Sequence, residues 1–111
     1  MHAAKQAIDL ESMHEAVGSA CALMKALANP DRLMLLCQLS QHEMSVGELE
    51  QTLGIRQPTL SQQLTVLREE ELVETRRDGR NVYYRVSSPR ALAVLKVLYT
   101  QFCGQRKGAS R

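Results

Sequence analysis

No stretch of this chain reaches the roughly 18 consecutive apolar residues that a membrane-crossing helix needs, and the start Met1-His2-Ala3-Ala4-Lys5-Gln6 lacks the apolar run of a secretory signal. Neither membrane insertion nor export is expected, so the chain reads as a cytoplasmic protein with no membrane partner. Cysteine is scarce and scattered. Cys21, Cys37 and Cys103 form no CxxC or other close pair, and an odd number in a cytosolic chain argues against a structural disulfide framework. If these thiols matter, they matter through reactivity. A Gly-rich phosphate loop is missing, and no histidine stands at a recognisable spacing to serve a cysteine as base, so nothing marks an enzyme. Internal repeats, low-complexity blocks and linkers are missing as well.

What is present suffices for one modest core. The 111 residues, 44% of them hydrophobic, are too few for two domains, and we read 1–111 as a single domain with flexible tails at 1–9 and 106–111. The net charge of +2 hides a split. Residues 1–70 hold five Lys and Arg against nine Asp and Glu, whereas residues 71–111 hold nine against three. An anionic partner is therefore expected at the C-terminal part.

Leu10, Met13, Val17, Ala20, Met24 and Leu27 recur at alternating spacings of three and four, which draws one apolar seam along a first helix. Asn29-Pro30-Asp31 opens a second helix with a cap, a proline at the first helical position and an acid in the first turn; its apolar residues nearly encircle it, so burial is expected. Ser45-Val46-Gly47-Glu48 matches a capping box, and the short helix it starts ends at Gly54. After the turn Gly54 to Gln57, Pro58 is expected to start a helix with Leu60, Leu64 and Leu67 on the core side. The period then changes to two. Val73–Arg77 and Val82–Val86, flanking Asp78-Gly79-Arg80-Asn81, predict a β-hairpin. Ser88-Pro89 begins a last helix with a stripe of Leu92, Leu95, Leu98 and Phe102. The fold class is thus mainly α with a small β-hairpin. Helix, short Gly-containing turn, helix with a polar outer face, then hairpin is the pattern of a winged helix-turn-helix.

Base edges in the DNA major groove are read by hydrogen-bond donors and acceptors. Gln57, Thr59, Ser61, Gln62 and Thr65 supply such groups on the outer side of the helix after the turn, and Arg76, Arg77 and Arg80 on the hairpin suit phosphates or the minor groove beside it. Polar residues on a surface helix also merely solvate it, and a basic hairpin also keeps an edge strand from pairing. Arg85 has a structural reading as well. The helix and the hairpin in tandem favour double-stranded DNA as the partner.

Four segments carry a family resemblance: Lys25-Ala26-Leu27-Ala28-Asn29-Pro30-Asp31-Arg32, Ser45-Val46-Gly47-Glu48-Leu49, Gln57-Pro58-Thr59-Leu60-Ser61-Gln62-Gln63-Leu64 and Gly79-Arg80-Asn81-Val82-Tyr83-Tyr84. They resemble the ArsR/SmtB repressors over about residues 12–103. The resemblance implies a homodimer paired through the first and last helices, which agrees with the two apolar stripes, and an inverted-repeat operator. The stripes alone prove no dimer.

Metal-sensing members carry a Cys-x-Cys type motif before the recognition helix, where this chain has Glu48-Leu49-Glu50-Gln51-Thr52-Leu53; others place Asp, His and Glu on the last helix, where residues 89–105 have none. His2, His14 and His42 are scattered. No metal site and no cofactor is expected. The surroundings of Cys37 and Cys103 instead resemble the sulfide-responsive branch of the family, in which a cysteine on the second helix and one on the last form a persulfide-reactive pair. By composition alone Cys37, within Leu36-Cys37-Gln38-Leu39, reads as an inert core thiol, and Cys21 as packing in the first helix. The resemblance implies a repressor that binds its operator when reduced and releases it when reactive sulfur species link Cys37 to Cys103. A metal ion or other effector at an unrecognised site, or constitutive binding, is the alternative input; a protein-interaction module that has lost DNA binding is the alternative function.

Overall fold

The computed structural model describes residues 9–104, so His2, residues 1–8 of the first expected tail and the whole of the second lie outside the described residues. Five helices and three short strands follow in the order α1 (Leu10–Leu27), α2 (Pro30–Gln41), β1 (Met44–Ser45), α3 (Val46–Leu53), α4 (Thr59–Glu69), β2 (Val73–Asp78), β3 (Asn81–Val86) and α5 (Pro89–Tyr99). A single wider π-turn, Thr100–Gly104, continues α5.

Side-chain caps start most of the helices. Asp9, Asn29, Ser45 and Ser88 each accept a hydrogen bond from the backbone N–H three residues on, satisfying a donor that the first helical turn leaves without a partner. At Ser45 the box is reciprocal, since the Glu48 carboxylate accepts from the Ser45 N–H at 2.9 Å. Gly54 ends α3 in the left-handed region at φ 72°, a conformation that costs other residues a steric penalty.

The core is mostly leucine. Leu35 and Leu36 of α2, Leu49 of α3, and Leu60, Leu64 and Leu67 of α4 are fully enclosed, each contributing about 2 kcal/mol of apolar burial. Leu95 and Ala91 of α5 and Tyr84 and Val86 of β3 close the cluster. The expected core face of α4 is thereby observed.

Four local expectations need correction. The helix after the turn begins at Thr59, with Pro58 as its cap residue and the Gln57 side chain supplying the acceptor for the first turn. The strands of the hairpin extend to Asp78 and from Asn81, so the loop shrinks to Gly79-Arg80, with Gly79 at φ 65°. β1 adds a third antiparallel strand on β3, pairing Met44 with Tyr84 and Ser45 with Tyr83. Helix α2 is not enclosed all round, since Met34 is 51% exposed.

The apolar seam of α1 follows the expected helix, but only its C-terminal end is buried within the chain. Leu10, Val17 and Met24 stay exposed, as do Leu92, Val97, Tyr99 and Phe102 on the last helical stretch. Such a set of exposed large apolar side chains on two helices marks an association surface.

Candidate nucleic-acid interface and thiol pair

Helix α4 turns Leu60, Leu64 and Leu67 inward, and with 3.6 residues per turn this sends Ser61, Gln62 and Thr65 outward. All three are exposed, as is Gln57 in the preceding turn, while Thr59 is half-buried. Their side chains are not equally available. The Gln57 Oε1 accepts from the Ser61 N–H at 3.1 Å and supplies the helix cap that Pro58 cannot. The Thr65 hydroxyl donates to the Ser61 carbonyl at 2.9 Å, a back-bond along its own helix. Among the described residues, the Gln62 and Ser61 side chains make no hydrogen bond within the chain, so their donors and acceptors face outward unspent.

The hairpin sorts its arginines by face. Residues paired across antiparallel strands share a side, so Glu74 with Arg85 and Arg76 with Tyr83 lie on one face, and Arg77 with Val82 and Thr75 with Tyr84 on the other. Arg85 is in an ion pair with Glu74, as its structural reading expected. Arg76 lies 4.8 Å from the Tyr83 ring centroid and grips Glu43 through two nitrogens: Nε donates at 3.1 Å to both carboxylate oxygens, and the second terminal nitrogen donates at 2.7 Å. These hydrogen bonds hold the Glu43 carboxyl below its ordinary range and lift the Arg76 guanidinium above its own. Arg77 and Arg80 are exposed and, among the described residues, form neither hydrogen bond nor ion pair. Of the three expected wing contacts, two are uncommitted cations and one is already neutralised.

Residue spacing around the turn missed Arg56. It is exposed beside Gln57, and both line an open concavity with Glu48, Glu50 and Gln51 of α3. The available signal was a lone basic residue at the entrance of the helix.

The thiols fall in different environments. Cys37, on α2, is half-buried against the core; Cys103, in the π-turn after α5, and Cys21, on α1, are exposed. Burial pushes the Cys37 thiol up, and the negative charge of the Cys103 thiolate pushes it further in the same direction. Helix α5, which the turn carrying Cys103 continues, packs on α2, which carries Cys37. Among the described residues, no three His, Cys, Asp or Glu side chains converge as a metal site would require.

Comparison with known proteins gives this geometry its context. Residues 29–75 match the bacterial regulatory protein, arsR family, model. The chain is 50% identical over 99 residues to the biofilm growth-associated repressor of Xylella fastidiosa strain 9a5c, covering 89% of this chain and 87% of that protein. The chain belongs to the arsR family. Members are DNA-binding transcriptional regulators and not enzymes. The fold superposes on the crystal structure of the transcriptional repressor BigR from Xylella fastidiosa with a TM-score of 0.78 at 49% identity, over 86% of this chain and 98% of that one. It also matches the homodimeric winged helix-turn-helix DNA-binding domain Mb0332 from Mycobacterium bovis, with a TM-score of 0.72 at 27% identity and 95% coverage of both chains. In arsR-family terms, α3 and α4 are the helix-turn-helix and β2–β3 the wing. No helix among the described residues is long and apolar enough to cross a membrane.

Proposed function

We propose that this arsR-family chain is a cytoplasmic homodimeric repressor that binds an inverted-repeat operator when reduced and leaves it when reactive sulfur links Cys37 to Cys103. The observation that supports the reading is one half-buried thiol on α2 and one exposed thiol on the turn that continues α5, the helix that packs on α2. The genes it controls would serve detoxification of sulfide or reactive sulfur species.

The exposed apolar faces of α1 and α5 pair two protomers and set their recognition helices roughly one DNA turn, about 34 Å, apart. Gln62 and Ser61 read base edges, with Thr59, Thr65 and the amide nitrogen of Gln57 beside them. Arg77 and Arg80 of the wing bind phosphate or the minor groove. Arg76 joins them only by exchanging Glu43 for phosphate.

The thiol chemistry balances as a two-electron exchange. Exposed Cys103 attacks the outer sulfur of an organic persulfide and expels the organic thiol, becoming a persulfide itself. Cys37 then attacks the inner sulfur, a disulfide forms, and hydrosulfide leaves with the electrons. A link between α2 and the segment after α5 strains the packing that holds α4 and the dimer face together.

The test is the intact mass and operator affinity of the reduced protein before and after an organic persulfide, beside Cys37→Ser and Cys103→Ser. A loss of two mass units together with weaker operator binding, both requiring both cysteines, is expected. Unchanged affinity in the linked protein refutes the switch, and an operator that raises transcription of a reporter when occupied refutes repression.

A further inference from the structure

Arg32 stands in the first turn of α2, yet its side chain serves two other helices. Its Nε donates to the Ala26 carbonyl at 2.8 Å and one terminal nitrogen to the Lys25 carbonyl at 3.0 Å, both near the C-terminal end of α1. The other terminal nitrogen donates to Gln63 Oε1 at 3.0 Å, in the middle of α4. The last carbonyls of a helix lack intrahelical partners and carry partial negative charge, so a guanidinium there is held by charge as well as by geometry. The planar fork fixes the directions of its donors, which an ammonium group would not do.

This bridge spans a gap. Helix α1 packs on α2, and α2 on α4, but α1 and α4 are separated by an open groove of about 300 Å³ between Gly18, Cys21, Ala22 and Lys25 on one side and Val66 and Glu70 on the other. Arg32 lies along that groove and is the hydrogen-bonded link across it among the described residues. Gln63 is half-buried and neighbours Gln62, whose side chain faces outward. A rotation of α4 about its axis would move both residues and break the bond to Arg32.

We infer that Arg32 and Gln63 are positioning residues for DNA recognition: the Arg32 fork locks the rotation of α4 against α1, so that the dimer-bearing helix and the base-reading helix keep one mutual setting. The inference rests on the reading of α4 as the DNA-reading helix. It assigns no base contact to either residue. The bond acts on sequence discrimination and on the half-site spacing the dimer accepts, because both depend on how α4 is presented relative to α1.

The experiment uses the full reduced chain. Duplexes selected by the unaltered protein from a random-sequence pool serve as the specific probe, with an unselected duplex of equal length as the reference. For Gln63→Leu, which removes the acceptor, the ratio of specific to reference affinity falls about ten- to a hundredfold, the size expected for one hydrogen bond to a charged group, and the accepted half-site spacings broaden. Dimerisation and melting temperature stay near those of the unaltered protein. Gln63→Glu keeps an acceptor for Arg32 and retains the ratio, even where its added charge weakens binding to both duplexes alike. Arg32→Lys lowers the ratio as Gln63→Leu does, and combining the two adds little. An undiminished ratio and unchanged spacing preference in Gln63→Leu overturns the inference while leaving DNA binding intact. Failure of the unaltered protein to enrich any sequence overturns the DNA-reading assignment and the inference with it.

Discussion

Arg76 of the wing is held by Glu43, a residue 33 positions earlier, through hydrogen bonds from two guanidinium nitrogens. A phosphate approaching Arg76 must displace a carboxylate already seated there, whereas Arg77 and Arg80 present their charge directly. The wing therefore offers fewer usable cations than its arginine content suggests.

Removing that carboxylate should release the third cation. Glu43→Gln is expected to raise affinity for any duplex and to steepen the dependence of log affinity on log salt by about 0.9 per protomer, one further phosphate contact. Arg76→Ala should change neither quantity much while Glu43 is present. Binding isotherms over a series of salt concentrations decide it; equal losses from Arg76→Ala and Arg77→Ala would show that Glu43 does not restrain Arg76.

Base reading and phosphate binding separate by substitution. Gln62→Ala should reduce discrimination between selected and random duplexes by about 1–3 kcal/mol, leaving random-duplex affinity nearly unchanged. Arg77→Ala should weaken both duplexes alike and flatten the salt slope by about 0.9 per protomer. Competition titrations with the two duplexes distinguish these patterns, and the assignments fail if the two variants behave the same way.

Thiol reactivity carries a pH signature. Since burial, and secondarily the Cys103 thiolate, raise the Cys37 pKa, alkylation of Cys37 should turn on only above the ordinary thiol range. Cys103→Ser removes the smaller of the two causes, so the midpoint should fall but remain elevated. Rate against pH, followed by peptide mass spectrometry, measures this, and a midpoint below an ordinary thiol contradicts the burial seen here. The sign carries over to stability: a thiol raised in the folded state favours folding below the unfolded-state pKa, and that contribution is lost as pH rises through the folded value.

The association surface is open to a direct test. Val17→Lys or Met24→Lys places a charge on the exposed seam of α1 without touching the enclosed leucines of the core. Sedimentation should show the monomer, with a melting curve that no longer depends on protein concentration, and operator affinity should fall because two half-sites are no longer bound together. A variant that stays dimeric at micromolar concentration would place the partner elsewhere.

Much of this architecture was legible in the chain because its signals are local. Asn29-Pro30, Ser45 with Glu48, and Ser88-Pro89 act on the backbone within three residues of themselves, so they mark helix starts without reference to the rest of the fold. The spacing of Leu60, Leu64 and Leu67 determines which side of α4 is buried, and therefore which polar side chains face out. Alternation at Val82, Tyr84 and Val86 did the same for the wing.

What depended on tertiary structure was every relationship between distant segments. Whether Arg76 is available, which two helices Arg32 joins to its own, how near Cys103 comes to Cys37, and which part of the α1 seam the chain covers for itself all follow from how the elements are brought together in space. Periodicity reports that a face is apolar and a residue type reports what a side chain can bond; neither contains the distance to a partner many residues away, and hydrogen bonds and ion pairs form or fail within about 1 Å.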